Sequence, residues 1–77
     1  MKSMHETMLE LLRPNGRYVQ LNGPDSWQVE RVISGAGLTE LWDEMRLQAT
    51  NDEMHIDRFL EAVKAYSGSV AEAVELV

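Results

Sequence analysis

Two histidines, His5 and His55, are the side chains best suited to hold a metal or move a proton near neutral pH. A zinc-binding helix places a second histidine three to five residues from the first, and neither histidine has one. Glu10 follows His5 and Asp52 precedes His55 at spacings that any acidic helical chain produces. The expectation is two exposed histidines and no metal site. There is no cysteine, which removes disulfides, thiolate nucleophiles, cysteine-type zinc sites and iron–sulfur ligation together, and fits a reducing compartment.

Carboxylates come in adjacent pairs, Asp43 with Glu44 and Asp52 with Glu53. General acid–base chemistry needs a cleft that desolvates one member of such a pair, and a chain of 77 residues has little volume to enclose one. Ser67, His55 and Asp57 supply the residue types of a nucleophilic triad, but no Gly-x-Ser-x-Gly elbow positions the serine. Gly35-Ala36-Gly37 lacks the preceding strand and third glycine of a phosphate-cradling loop. No catalytic residue and no cofactor is expected.

The elements that position these residues read as helices. Ser3 and Glu6 have capping-box spacing, and Met1, Met4, Met8, Leu11 and Leu12 form one stripe of a helix over 4–12, stopped by Pro14-Asn15-Gly16. Asp25 and Gln28 repeat the capping spacing ahead of a helix over 26–34 with Val29, Val32, Ile33 and Ala36 inward; Ser34-Gly35-Ala36-Gly37 ends it. Thr39 is the expected cap of a helix to Ala49 with the stripe Leu38, Leu41, Trp42, Met45 and Ala49. Asn51 caps the next, which carries Ile56, Phe59, Leu60, Val63 and Tyr66 inward. Ser69 and Glu72 open a last helix with Val70, Ala73, Val74 and Val77.

Arg17 to Leu21 is the one stretch with strand character. It pairs with residues 27–33 as a hairpin, pairs with a second copy, or lies on the helices as an extended linker. The predicted fold is therefore all-α, a single domain over 1–77 of four to five short helices with a possible short strand or hairpin at 17–21. The first part, 1–37, holds the methionine helix, the extended segment and a short helix; the second, 38–77, holds three capped helices.

Within the second part, the helix, the Ser67-Gly68-Ser69 turn and Val70-Ala71-Glu72-Ala73-Val74 resemble the last two helices of ubiquitin-associated domains and the first two of Fis-type DNA-binding domains. The likeness covers about a quarter of the chain. Asn51-Asp52-Glu53 stands where a ubiquitin-associated domain has its Met-Gly-Phe-type loop, and the chain stops at Val77, where a Fis-type recognition helix would begin. Neither likeness identifies the chain.

Trp27 to Met45 has the order of a helix-turn-helix, yet the outward positions of its second helix are Glu40, Asp43 and Glu44, which repel phosphates. DNA contact through Arg13, Arg17 and Arg31 is the alternative reading. The net charge of −6 is unevenly spread: four basic and four acidic side chains lie in 1–38, three and nine in 39–77. Such a surface disfavours nucleic acid and anionic lipid and steers in a basic protein.

The expected function is a small acidic, non-catalytic protein–protein interaction module. It acts as a regulator, inhibitor or adaptor in the cytoplasm, like phage-encoded modifiers in size and charge. Its protein-binding acidic face comprises Glu40, Asp43, Glu44, Asp57 and Glu61. Met4, Met8, Leu11, Leu12, Tyr18, Val19, Leu21 and Trp27 form the expected seam of a homodimer or partner contact, Trp27 being the anchor. At ~25 cal/mol per Å², a seam of ~600 Å² of apolar area contributes roughly 15 kcal/mol before the entropic cost of association.

Overall fold

The computed structural model describes residues 1–76 and has the order α1 (Met4–Leu12), a one-turn 3-10 helix (Pro14–Gly16), α2 (Ser26–Gly35), α3 (Thr39–Leu47), α4 (Asp52–Ala65) and α5 (Val70–Glu75). Three helices start on a side-chain oxygen that accepts an otherwise orphaned backbone N–H. Ser3 Oγ accepts from Glu6 at 3.1 Å, Asn51 Oδ1 from Met54 at 2.8 Å and Ser69 Oγ from Glu72 at 3.3 Å.

The other two starts differ from the pattern the sequence suggests. Asp25 makes no side-chain cap, and α3 begins one residue early, with Leu38 as N-cap and Thr39 already helical. The early start of α3 follows from the turn between α2 and α3. Gly37 takes φ 74°, the Leu38 N–H donates to the Ile33 carbonyl and the Gly37 N–H to the Ser34 carbonyl, both at 3.0 Å, which is a Schellman stop. Leu38 ends this motif and also accepts from Trp42 N–H at 2.9 Å, so one buried residue closes α2 and opens α3. At its other end α3 tightens through Gln48-to-Met45 and Ala49-to-Arg46 backbone bonds, stopping at Leu47 rather than Ala49.

No strand or hairpin forms among the described residues. Asn15 (φ 56°) and Gly16 (φ 77°) reverse the chain after α1, and residues 17–20 then run back over the helices as a linker. Two backbone bonds hold the linker, Arg17 N–H to the Pro14 carbonyl at 3.1 Å where it begins and Val19 N–H to the Leu12 carbonyl at 2.9 Å, while Tyr18, Val19 and Leu21 pack half-buried on the core. Burial of those side chains, which β-propensity largely measures, is met here by helices instead of a partner strand.

The longest helix, α4, is the centre: it packs against α1, α3 and α5, and α2 closes the assembly against α1 and α3. The shortest dimension is 21 Å, two helix diameters, so the helices lie in two layers. Phe59, Ile56, Leu41, Met45, Met8, Leu12, Ile33 and Leu38 are fully enclosed between them. The stripes predicted for α3 and α4 supply most of this core. On α5, Ala73 is buried and Val70 and Val74 are partly so, while Val77 lies outside the described residues.

Candidate interaction surfaces

Glu40 and Asp43 are exposed on α3 and Glu44 is half-buried beside them, all within a little more than one helical turn. None of the three has an ion-pair partner among the described residues. Asp57 and Glu61, placed with them by the sequence reading, lie on α4 and are engaged differently. Tyr18 Oη donates to Asp57 Oδ2 at 2.6 Å, and Arg13 Nη1 stands 3.8 Å from Asp57 Oδ1. Glu61 pairs with Lys64 at 3.5 Å. The free part of the acidic face is therefore the α3 trio.

Arg13 ties this corner together. Its guanidinium sits 4.1 Å from the centre of the Tyr18 ring and donates from Nη2 to the Gly16 carbonyl at 2.8 Å. The bond to Asp57 holds the Tyr18 phenol above its ordinary pKa, with loss of solvent and the Asp57 charge adding to the rise and Arg13 opposing it. Of the three arginines assigned to DNA, Arg13 is thus occupied within the fold, while Arg17 and Arg31 are exposed.

The seam divides into three parts. Met8 and Leu12 are fully buried and belong to the core, because α4 lies against their side of α1; they are withdrawn from any contact surface. Met4 at 44% and Trp27 at 55% exposure remain outside. Leu11 and Trp27 line an open groove of about 400 Å³ with Gln28, Arg31 and Val32. Val32 fits the inward helical template of α2 but points into this groove, since the core takes only Val29 and Ile33 from that helix. The i, i+4 spacing of Trp27 and Arg31 is the one trace of the groove in the sequence.

Tyr18, Val19 and Leu21 line a different cleft, of about 480 Å³, with Gln20, Asn22, Asp52 and Glu53. It continues into a third of about 420 Å³ that shares Leu21, Asn22 and Asp52 and reaches Glu30, Arg46, Asn51 and His55. Asn22 Nδ2 lies 3.5 Å from Asp52 Oδ2 where the two meet. Asp52 and Glu53, an adjacent carboxylate pair in the sequence, lie in the first turn of α4 and wall a cleft there.

His55 overturns the expectation of an exposed imidazole. It is 3% exposed, its Nε2–H donates to the Trp42 carbonyl at 2.8 Å, and its ring lies 3.7 Å from that of Trp42, which meets the edge of Phe59 at 4.9 Å. Burial pushes its pKa below the ordinary value, reinforced by Arg46 and opposed by the Trp42 bond, Asp52 and Asp43. His55 is thus a neutral core residue joining α4 to α3. Trp42 Nε1 is buried beside it without a protein partner. Among the described residues no three histidine, aspartate or glutamate side chains converge as metal ligands, and no helix is long and apolar enough to cross a membrane.

No known protein family, characterised protein or solved structure matches the chain. Its surfaces therefore stand on their own chemistry.

Proposed function

We propose that this chain is a small, non-catalytic protein–protein interaction module, a regulator, inhibitor or adaptor that covers a basic surface of a partner protein. The observation that carries the proposal is the α3 trio, Glu40, Asp43 and Glu44, three neighbouring carboxylates without an ion-pair partner in the described residues. A basic partner supplies the missing cations and is drawn in by the overall charge of −6. The carboxylates contribute little to the fold, so charge reversal separates binding from stability. Asp43→Lys with Glu44→Lys should abolish capture of a partner from the source cell while leaving the melting temperature within a few degrees. Undiminished capture of the same protein by the reversed chain would reduce the trio to solvated charges.

A second reading, self-association, is favoured by Trp27, whose exposed indole stands beside Leu11 and Val32 with Arg31 at the rim. Tryptophan in such a setting is a common energetic anchor of interfaces. Light scattering of the wild type at micromolar concentration should give twice the mass of an 8.8 kDa chain, and Trp27→Ala should restore the single-chain mass. A single-chain mass for the wild type would rule this reading out.

A further inference from the structure

The linker between α1 and α2 leaves backbone groups unused. Among the described residues the N–H groups of Tyr18, Gln20 and Leu21 and the carbonyls of Tyr18 and Val19 have no protein hydrogen-bond partner; Val19 N–H is committed to Leu12, and Leu21 and Asn22 form the turn that ends the segment. Arg17, where the linker begins, is already extended at φ −106° and ψ 141°. Unsatisfied backbone groups on such a segment are what an extended peptide uses when it adds alongside another chain.

The same residues form one wall of the two continuous clefts. Across from them stand Asp52 and Glu53 in the first turn of α4, and farther along Glu30 and Arg46. Neither Asp52 nor Glu53 nor Glu30 has a cationic partner among the described residues. Half-buried Val19 and Leu21 add apolar surface between the charged wall and the backbone wall. We infer that the cleft between the Tyr18–Asn22 linker and the start of α4 binds an extended basic peptide segment, whose backbone pairs with the linker and whose lysine or arginine side chains meet Asp52 and Glu53.

The inference deepens the proposed function by giving the basic partner a second, sequence-reading contact apart from the α3 trio. Steering by charge alone tolerates any basic surface, whereas backbone pairing selects a segment that is extended and free of proline at the pairing positions. Alternate side chains of that segment then point to the carboxylates and onto Val19 and Leu21, so an alternating basic and apolar pattern suits the cleft best.

The test is amide-resolved NMR titration of the full chain with a blocked hexapeptide alternating lysine and valine, and with its glutamate and valine counterpart. The lysine peptide should shift the amides of Tyr18 to Asn22 together with Asp52 and Glu53, and the glutamate peptide should leave them in place. Gln20→Pro, which deletes an N–H the fold does not use, should weaken binding about five-fold. Asp52→Asn with Glu53→Gln should weaken it at least as much and flatten its salt dependence. Should the proline variant misfold, the carboxylate variant and the map of shifted amides decide alone. Shifts confined to Glu40–Glu44 and lost in the Asp43→Lys, Glu44→Lys chain would overturn this site while leaving the proposed function standing. Absence of binding by the lysine peptide anywhere would overturn both.

Discussion

Lowering the pH should loosen the joint between α3 and α4 through one residue. His55 is buried neutral, so its folded pKa lies below the unfolded value of about 6.5, and the unfolded chain takes up a proton that the folded chain refuses. The stability associated with neutral His55 is complete above pH ~6.5 and is lost as the pH falls from there through the depressed folded value. One proton of difference gives a slope approaching ~1.4 kcal/mol per pH unit within that window. For a chain of this size, 1 kcal/mol moves the melting temperature by about 4–8 °C, so one pH unit is readily measured. The groups facing the ring are Arg46 and Asp43 of α3 and Asp52 of α4, and burial outweighs the two carboxylates. Circular-dichroism melts of the wild type and of His55→Leu between pH 7.5 and 5 isolate the effect, because every other titrating group is common to both. The difference in melting temperature should close or reverse as the pH falls. Parallel curves across the whole range would refute a neutral, buried His55.

Two further perturbations test the fold. Met8→Ala should cost about 2–5 kcal/mol, the usual loss for truncating an enclosed side chain, whereas Met4→Ala, on the exposed flank of the same helix, should change stability by less than about 0.5 kcal/mol. Equal effects in urea unfolding would contradict the placement of Met8 in the core. Asn51→Ala should cost ~1 kcal/mol through loss of the α4 cap, and Asp25→Ala close to nothing, because the Asp25 side chain bonds no helix N–H and its backbone carbonyl, which accepts from Gln28, is kept.

Local signals in the sequence account for most of the architecture. Ser3, Asn51 and Ser69 cap the helices they precede, and the stripes Leu38-Leu41-Trp42-Met45 and Ile56-Phe59-Leu60-Val63 bury as their spacing implies. What local pattern does not encode is the partner of each face. The methionine stripe has a helical period whether α4 or a second chain covers it, and only the tertiary packing places Met8 and Leu12 inside with Met4 outside. The burial of His55 is hidden from the sequence for the same reason: its side of α4 is apolar only because Trp42 is brought against it from another helix. The sequence marks the Schellman turn at Gly37 as a glycine-containing stop, but Leu38 serving two helices at once follows from the shortness of the connection. On the surface, single-residue chemistry marked Asp43, Glu44 and Trp27, while the cleft joining Tyr18–Asn22 to Asp52 and Glu53 exists only through a chain reversal that brings distant residues together.

The most direct test of the interaction module is the affinity of a captured partner for the wild type and for the Asp43→Lys, Glu44→Lys chain as salt is raised. The wild type should bind at low salt and weaken steeply with ionic strength, and the reversed chain should bind at least ten-fold more weakly at low salt with an unchanged fold. Equal affinities with equal salt dependence would contradict the assignment of partner recognition to the acidic face of α3.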